Sequence, residues 1–145
     1  MVARTVFFIQ KSPALAGAQK SLLRLMQTLN ENYQPVLITG SEGWLATESC
    51  LAGIPVIVHP FPSSRSLKAL LIGNRQFARE VAEECRKYEL SGCLVHGNDH
   101  IQSLSALAIA KALQAPSVLT LRTPVMTRRD FFKYGCHRHR HVVAV

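Results

Sequence analysis

The segment Val6–Arg24 decides the fold, and it reads Val-Phe-Phe-Ile-Gln-Lys-Ser-Pro-Ala-Leu-Ala-Gly-Ala-Gln-Lys-Ser-Leu-Leu-Arg. It begins with a short apolar run that ends at Ile9 and continues through a loop of small and polar residues. From Gly17 onward, leucines and Met26 recur at helical spacing on one side. A buried strand, a tight loop and an amphipathic helix form the opening unit of a doubly wound α/β domain.

The rest of the chain repeats this unit. Further strands are predicted at residues 35–39, 54–58, 92–96, 116–121 and 141–145, with helical stretches at 44–51, 65–89, 101–114 and 128–133. We expect Ser41 to cap the second helix and Gly73 to break the long helix. Because of Pro55, we expect the third strand either to lie at a sheet edge or to begin after this proline. The alternation predicts one Rossmann-like domain over residues 1–145, with a parallel sheet of about six strands and helices on both faces.

Two halves of three strands predict the order 3-2-1-4-5-6. The first and fourth strands are then central neighbours whose connections leave in opposite directions, so a crevice opens beyond their carboxyl ends. We expect loop Lys11–Gly17 to face loop His96–His100 there, with Arg122–Pro124 beside them. These loops contain most of the candidate site residues.

The start of the first helix is a candidate anion site. The first N–H groups of a helix have no partner within it, and the helix dipole makes that end positive. The small residues Ala16, Gly17 and Ala18 allow close approach of a phosphate or sugar. The alternative is that Gly17 serves only a turn and the alanines only tighten packing. The loop matches neither the dinucleotide fingerprint nor a Walker loop.

The fourth strand supplies the other candidates. His96 stands at the predicted strand end, where it acts on a ligand or simply bonds a neighbouring backbone group. Asn98 either bonds a sugar hydroxyl or shapes the turn. Asp99 is a candidate catalytic acid or base and also a natural cap for the next helix. Lys11 and Arg122 complete the set as charged groups that a bound ligand would contact.

Composition narrows the classes of protein. The 145 residues are 48% hydrophobic, with a formal net charge of +8 and a pI near 9.8. Apolar runs are too short to span a bilayer and no signal peptide is evident. Four scattered cysteines without a C-x-x-C pair predict a reduced, cytoplasmic protein. The basic charge suits nucleic acid, anionic lipid or phosphorylated ligands, but no nucleic-acid-binding motif is present.

Two basic segments allow more than one interpretation. Cys136-His-Arg-His-Arg-His141 alternates its histidines, which on a strand would share a face as metal ligands do, but it also fits a basic loop entering a strand. Arg65, Lys68, Arg75 and Arg79 lie among leucines on the long predicted helix. That helix has either a solvated basic face or a peripheral contact with the cytoplasmic face of a membrane. We expect no metal site.

In four motifs the chain resembles the N-terminal domain of the GT-B fold glycosyltransferases of family 4, which are retaining enzymes that use nucleotide sugars. The first motif, Ala16-Gly-Ala-Gln-Lys-Ser-Leu-Leu23, is similar to Gly-Gly-Ala-Glu-Arg-x-Leu in the family. The second, Val95-His-Gly-Asn98, is similar to Val-His-x-Asn, and the third, Ala115-Pro-Ser-Val-Leu-Thr-Leu121, is similar to Gly-x-Pro-x-Val-x-Thr. The fourth is the strand His141-Val-Val-Ala-Val145. The order of elements matches over the whole chain. Here Ala16 and Gln19 replace a glycine and an acid, and Arg122 stands where many members have histidine.

The resemblance implies a function. In that family the N-terminal domain binds the acceptor, its glycine loop approaches the donor diphosphate, and a second Rossmann-like domain provides most of the donor site. We therefore expect this chain to be the acceptor-side domain of an enzyme that transfers a sugar from a nucleotide-sugar donor to a glycan or lipid-linked acceptor. It needs no cofactor beyond that substrate, and it is inactive without its second domain. The uncapped final strand, Val142–Val145, suggests a truncated chain.

A non-catalytic alternative remains open. A Rossmann-like module that binds a phosphorylated ligand or a partner subunit would have the same pattern of strands and helices. Dinucleotide binding is the weakest form of this alternative, because the fingerprint glycines are missing and no ribose-binding acid follows Thr39.

Overall fold

The computed structural model describes residues 2–63 and 65–145 and contains one parallel sheet of six strands in the order β3-β2-β1-β4-β5-β6. The strands are β1 (Arg4–Gln10), β2 (Tyr33–Thr39), β3 (Val56–Val58), β4 (Leu94–Asn98), β5 (Ser117–Leu121) and β6 (His141–Ala144). The helices are α1 (Gly17–Gln27), α2 (Trp44–Leu51), α3 (Leu67–Cys85), α4 (Ser103–Leu113) and α5 (Arg128–Lys133), with 3-10 turns at His100–Gln102 and Cys136–Arg138. The predicted fold class and strand order are confirmed.

Helices cover both faces of the sheet and form two apolar cores. On one face, α1 and α2 bury Leu22, Met26 and Leu45 against Phe8 and its strand neighbours. On the other face, the core joins α3 and α4 to alternate residues of β1, β2 and β4. Burial on both faces explains why the strands are apolar runs rather than alternating sequences.

The third strand is at a sheet edge and begins after Pro55, as expected. The Pro55 carbonyl accepts from the Leu37 N–H at 2.9 Å. Proline at this point leaves no ladder donor unsatisfied, because the regular strand starts one residue later.

Two expectations about helix boundaries were wrong. Helix α3 is continuous through Gly73, where a Cβ atom would lie 2.9 Å from Pro62 Cβ, so the glycine admits a neighbouring loop rather than ending the helix. Helix α2 has Gly43 at its N-cap and no side-chain cap, so Ser41 does not cap it. A Cβ at Gly43 would lie 2.8 Å from Pro13 Cγ, and this close packing fixes the start of α2.

Strand β4 ends two residues later than the sequence predicted. Gly97 and Asn98 pair with Leu119 and Thr120 of β5 instead of entering a loop. A Cβ at Gly97 would lie 3.0 Å from Leu119 Cδ1 and 3.3 Å from Ala106 Cβ, so glycine lets α4 pack closely on the strand. The extension brings Asn98 and His96 onto the same face of the sheet.

Two leucines of α1 test how this helix is anchored. Leu22 is fully buried and Leu25 is 39% exposed, so the same change to alanine removes very different amounts of packing. We expect Leu22→Ala to lower the free energy of unfolding by about 3 kcal/mol and Leu25→Ala by less than about 1 kcal/mol. Urea denaturation measures both values. Equal losses would contradict the packing of α1 on β1.

Candidate functional site

A cleft of about 570 Å³ lies at the carboxyl edge of the sheet. Its lining comes from the β1–α1 loop, the ends of β2, β3 and β4, and the turn before α4: Gln10, Lys11, Ser12, Pro13, Ala18, Gln19, Gly40, Ser41, Pro60, Phe61, Asn98, Asp99, Ile101 and Gln102. The predicted meeting of the loops after the first and fourth strands therefore occurs in the structure. The cleft occupies the position where the strand order reverses.

Four carboxamide side chains distinguish this cleft. Gln10, Gln19, Asn98 and Gln102 all line it, and each is at most 6% exposed. A carboxamide both donates and accepts hydrogen bonds without carrying charge. A wall of this kind matches neutral hydroxyl groups better than it matches a highly charged ligand.

The sequence did not predict the three glutamines of this wall as site residues. Gln10 ends β1, so the rule that ligands bind at carboxyl ends of strands was a usable signal for it. Gln19 was noted only because it replaces an acid in the first family motif. Gln102 gave no signal, because the predicted helix placed it among ordinary helical positions.

Two of the four amide groups, those of Asn98 and Gln10, belong to a chain of hydrogen bonds that crosses the two central strands. Asn98 Nδ2 donates to Gln10 Oε1 at 2.5 Å, and Asn98 Oδ1 accepts from Arg122 Nε at 2.7 Å. Arg122 Nη1 donates to Ser21 Oγ of α1 at 3.1 Å. Both polar ends of the Asn98 amide are thus satisfied, which lets a 1% exposed polar side chain lie within a sheet.

Arg122 adjoins the cleft without lining it. Its guanidinium is half-buried between β5 and α1, and in residues 2–63 and 65–145 no carboxylate oxygen lies within 4.0 Å of it. Arg122 therefore lies beside the other two loops, as the sequence predicts, and its side chain is bonded to Asn98 at the end of β4. Its charge is not neutralised by a described side chain.

Asp99 organises the loops at this edge. It has a φ of 103°, which is rare for a residue other than glycine. Its carboxylate accepts from the backbone N–H groups of His100 (2.8 Å) and Arg122 (3.2 Å) and from the Thr123 hydroxyl (2.9 Å), and the His100 ring is also in contact. Burial opposes ionisation, but these hydrogen bonds outweigh it and lower the pKa of Asp99.

The expected cap is therefore present, at the start of the 3-10 turn that precedes α4. The bonds from the Arg122 N–H and the Thr123 hydroxyl hold the β4–α4 loop against the β5–α5 loop, so the structure gives Asp99 a positioning role. Its catalytic role stays a prediction.

His96 is a buried, neutral side chain beside the cleft. Its Nε2 lies 2.8 Å from Thr120 Oγ1, its ring packs 5.1 Å from that of Phe8, and Nδ1 has no hydrogen-bond partner among the described residues. Burial lowers the pKa of His96 to about 4, and the positive charge of Arg122 acts in the same direction. The ring is thus uncharged at neutral pH. Its action on a substrate stays a prediction.

The loop at the start of α1 leaves open space around its small residues. Gly17 has no positive φ, and a Cβ there would meet no atom within 4 Å, so neither turn geometry nor packing requires glycine. Ala16 occupies the N-cap without a side-chain bond, and the first turn holds no acid. Ala18 lines the cleft, and so does Lys11, whose carbonyl accepts from the Gly40 N–H at 3.0 Å.

The alternating histidines do not form a common face. Cys136–Arg138 is a 3-10 turn, and His139 turns inward to place Nε2 2.9 Å from Ser103 Oγ. Only His141 belongs to a strand. The described part of the chain contains no cluster of three or more His, Cys, Asp or Glu side chains placed to hold a metal ion.

Comparison with known proteins identifies the fold. Neither a family profile nor a curated protein sequence matches the chain. Among solved structures, the Anabaena protein Alr3699/HepE in complex with UDP-glucose matches with a TM-score of 0.62 and 16% identity, over 94% of this chain and 35% of that one. Acinetobacter baumannii MurG matches with a TM-score of 0.62 and 14% identity, over 98% of this chain and 41% of that one.

These likenesses are to GT-B glycosyltransferases, and this chain has the fold of one of their Rossmann-like domains. It spans about a third of the length of the HepE structures that it matches, one of which contains UDP and glucose. Membership of family 4 and a retaining mechanism, which the motifs imply, stay predictions.

The state of His96 predicts a pH dependence of stability. Since an unfolded histidine titrates near 6.5 and folded His96 near 4, acid between these values protonates the unfolded chain first. Stability should fall as the pH drops from about 6.5 to 4, by up to about 3 kcal/mol from this residue. Buried His139, whose pKa is also lowered to about 4, adds a similar loss.

His96→Gln should remove about half of the loss of stability that His96 and His139 cause together between pH 6.5 and 4, since glutamine does not titrate in this range. His137→Gln is the matched control, because His137 is exposed, and it should leave the dependence unchanged. Urea denaturation from pH 7 to 4 measures all three proteins. An unchanged slope in His96→Gln would contradict a neutral, buried His96.

Proposed function

We propose that this chain is the acceptor-binding domain of a retaining GT-B glycosyltransferase of family 4, which transfers a sugar from a nucleotide-sugar donor to a glycan or lipid-linked acceptor. The observation that carries the proposal is the carboxamide-lined cleft at the point of strand reversal. The GT-B-like fold supports it, and so do the four motifs of the sequence.

The cleft is suited to hydroxyl groups of the acceptor. Asn98 borders it at the end of β4 and Lys11 in the loop after β1, and the amides of Gln10, Gln19 and Gln102 complete the polar wall. Because Asn98 is hydrogen-bonded to Gln10, and Gln19 to the Ser12 carbonyl, little side-chain entropy is lost at these amides when a sugar binds. In this proposal, these residues fix which acceptor hydroxyl faces the donor.

The start of α1 is the proposed approach to the donor diphosphate. Open space above Gly17, the small flanking residues Ala16 and Ala18, and the absence of any side-chain cap leave the first N–H groups free for phosphate oxygens. A second Rossmann-like domain, outside these 145 residues, would supply most of the donor site.

His96 and Asp99 are the proposed catalytic residues of this domain. Neutral His96 can accept a hydrogen bond at its unprotonated ring nitrogen without first losing a proton, which suits a group that orients or polarises an acceptor hydroxyl. Its Nδ1 is buried in this structure, so this role requires a local opening of the cleft wall. Asp99 keeps the adjacent loops in place through its hydrogen bonds. The scheme requires no metal or cofactor, since the nucleotide sugar is itself the substrate.

Cysteine chemistry supports a cytoplasmic location for this domain. All four cysteines are free thiols, and three of them are buried. Cysteines without partners are typical of proteins kept in a reducing compartment. No helix in the described part of the chain is long and apolar enough to cross a bilayer.

One observation favours the second candidate, a non-catalytic module that binds a phosphorylated ligand. The Arg122 guanidinium is oriented by Asn98 and Ser21 and faces no carboxylate among the described residues. Guanidinium groups held in this way bind phosphate well. Inorganic phosphate that binds tightly at Arg122, with no saccharide binding in the cleft, would favour the module.

The chain alone should not turn over a nucleotide sugar. Most of the donor site lies in the proposed second domain, so UDP-glucose incubated with the 145-residue protein should release no UDP above the buffer rate. A coupled UDP assay measures this. Turnover at enzymatic rates by the chain alone would contradict the proposal that a second domain supplies most of the donor site.

Saccharide binding should act on the four cleft carboxamides. Their NH₂ signals in ¹⁵N correlation spectra report on the site directly, and the exposed amides of Gln27 and Gln114 serve as internal controls. We expect neutral mono- and disaccharides to shift the cleft signals, and UDP to shift the backbone signals of Gly17 and Ala18.

Gln19→Leu should weaken saccharide binding about tenfold through lost hydrogen bonds, and Gln27→Leu on the same helix should not. If saccharides leave the cleft amides unmoved while the control amides shift, the cleft is not the sugar site. If Gln27→Leu weakens binding as much as Gln19→Leu, the effect does not come from the cleft.

A further inference from the structure

A smaller hollow of about 170 Å³ adjoins the cleft on the side of α3 and α4, and we call it the side pocket. It shares Lys11, Phe61 and Ile101 with the lining of the cleft. The two hollows therefore meet along these three residues, and a ligand that is longer than the cleft reaches the side pocket. Apart from Lys11, the residues predicted from the sequence as site residues do not line it.

Aromatic and aliphatic side chains form the walls of the side pocket. Tyr134, directly after α5, and Phe61, in the loop after β3, are both half-buried there. The Tyr134 ring packs edge-on with the ring of His100 at a centroid distance of 5.0 Å, and the Phe61 ring lies 4.5 Å from that of Phe77. These contacts fix the two rings in place, while the large aliphatic side chain of Ile101 stays 59% exposed at the junction with the cleft.

Two buried polar side chains also belong to the lining. Asn74 of α3 is 3% exposed and Ser105 of α4 is 6% exposed. Ser105 Oγ donates to Asn74 Oδ1 at 2.6 Å, and Asn74 Nδ2 donates to the Leu70 carbonyl at 3.0 Å. These two bonds leave one Nδ2 hydrogen and lone pairs on both side-chain oxygens. The side pocket therefore combines apolar walls with groups that bond a neutral hydroxyl.

We propose that the side pocket binds a second sugar ring of the acceptor, next to the sugar whose hydroxyl groups lie in the cleft. The C–H groups on one face of a pyranose ring are attracted to the negative face of an aromatic ring such as that of Tyr134. The hydroxyl groups at the edge of the same sugar ring suit the amide of Asn74 and the hydroxyl of Ser105. This inference rests on the proposed function, because it extends the acceptor that the cleft receives.

The size of the side pocket agrees with one ring. A cavity of about 150 Å³ is enough to hold benzene, and the side pocket has a volume of about 170 Å³. Its position beside the cleft then sets the class of acceptor, which is a glycan of at least two sugar rings.

Other ligand groups match the side pocket less well. An alkyl chain would fill the apolar walls but would bury the remaining hydrogen-bonding groups of Asn74 and Ser105 without partners, which costs free energy. A phosphate group would find Lys11 as the single charged side chain among the described residues of the lining, with aromatic and aliphatic side chains around it. A neutral ring with hydroxyl groups satisfies both kinds of wall.

The tyrosine ring signals test the proposal. The chain has three tyrosines, and Tyr134 is the one that lines the side pocket. Tyr33 begins β2 and Tyr88 lies in the connection from α3 to β4, so both are internal controls at the opposite edge of the sheet. The 145-residue protein with ¹³C-labelled tyrosine is titrated with methyl glucoside, maltose, cellobiose and octyl glucoside.

We expect a disaccharide to shift the Tyr134 ring signal together with the NH₂ signals of the cleft carboxamides, and to leave Tyr33 and Tyr88 unmoved. Methyl glucoside has one ring and should shift the cleft signals with little change at Tyr134. These shifts are measured on the unsubstituted chain, so they do not depend on the folding of any variant.

Tyr134→Leu keeps an apolar wall and removes the aromatic ring. It should weaken disaccharide binding about fivefold and change the binding of methyl glucoside by about twofold or less. Tyr33→Leu is the matched control and should leave both affinities unchanged. The cleft carboxamide signals measure the affinity in every variant, and circular dichroism checks the fold.

The outcomes separate this inference from the proposed function. Disaccharides that shift the cleft carboxamides and leave Tyr134 unmoved would overturn the inference and leave the proposed function in place. Octyl glucoside that shifts Tyr134 as a disaccharide does, with equal affinity for Tyr134→Leu, would make the side pocket an alkyl-chain site and overturn the inference as well. Cleft carboxamides that respond to none of the saccharides would overturn both.

Discussion

The parallel pairing of β1 with β4 is the constraint on which the rest of the structure depends. These two strands are distant in sequence and adjacent at the centre of the sheet, where Val6 to Ile9 align with Leu94 to Gly97. Their following helices pack on opposite faces, so no connection crosses the space beyond their ends. That space forms the centre of the cleft, at the point where the strand order reverses.

Polar side chains stabilise the same junction. Arg122, which follows β5, donates to Asn98 of β4 and to Ser21 of α1, and Asn98 donates to Gln10 of β1. Asp99 joins the loops that follow β4 and β5. Removing one member leaves a buried amide or carboxylate without its partner, which costs more than the bond itself contributes. The network therefore holds the walls of the cleft in a single arrangement before any ligand arrives.

The sequence predicts the sheet well, because strand order follows from alternation and handedness rather than from details of packing. It fails where a tertiary neighbour decides the outcome. The sequence predicts that Gly73 breaks a helix, but in the structure the helix continues and Pro62 packs against this glycine. The sequence also predicts that Asn98 lies in a loop, but Gln10 and Arg122 satisfy its amide within the sheet. A polar residue can extend a central strand when its partners come from other strands, and those partners are not adjacent in sequence.

The sequence predicted the position of the cleft and only some of the residues that line it. Lys11, Asn98 and Asp99 follow from the rule that ligands bind at carboxyl ends of strands, and all three line the cleft. The glutamines escaped notice, because an isolated glutamine in a sequence carries no functional signal. Their meaning comes from assembly, since four buried carboxamides around one cavity are a chemical surface that no single position reveals.

The central claim is that this cleft receives the hydroxyl groups of a sugar, and intermolecular nuclear Overhauser effects test it most directly. With a ¹³C-labelled disaccharide in excess, the account predicts contacts between sugar C–H protons and the side-chain NH₂ protons of Asn98 and Gln10. Contacts that instead fall on residues outside the cleft, such as those along α3 and α4, would contradict the claim.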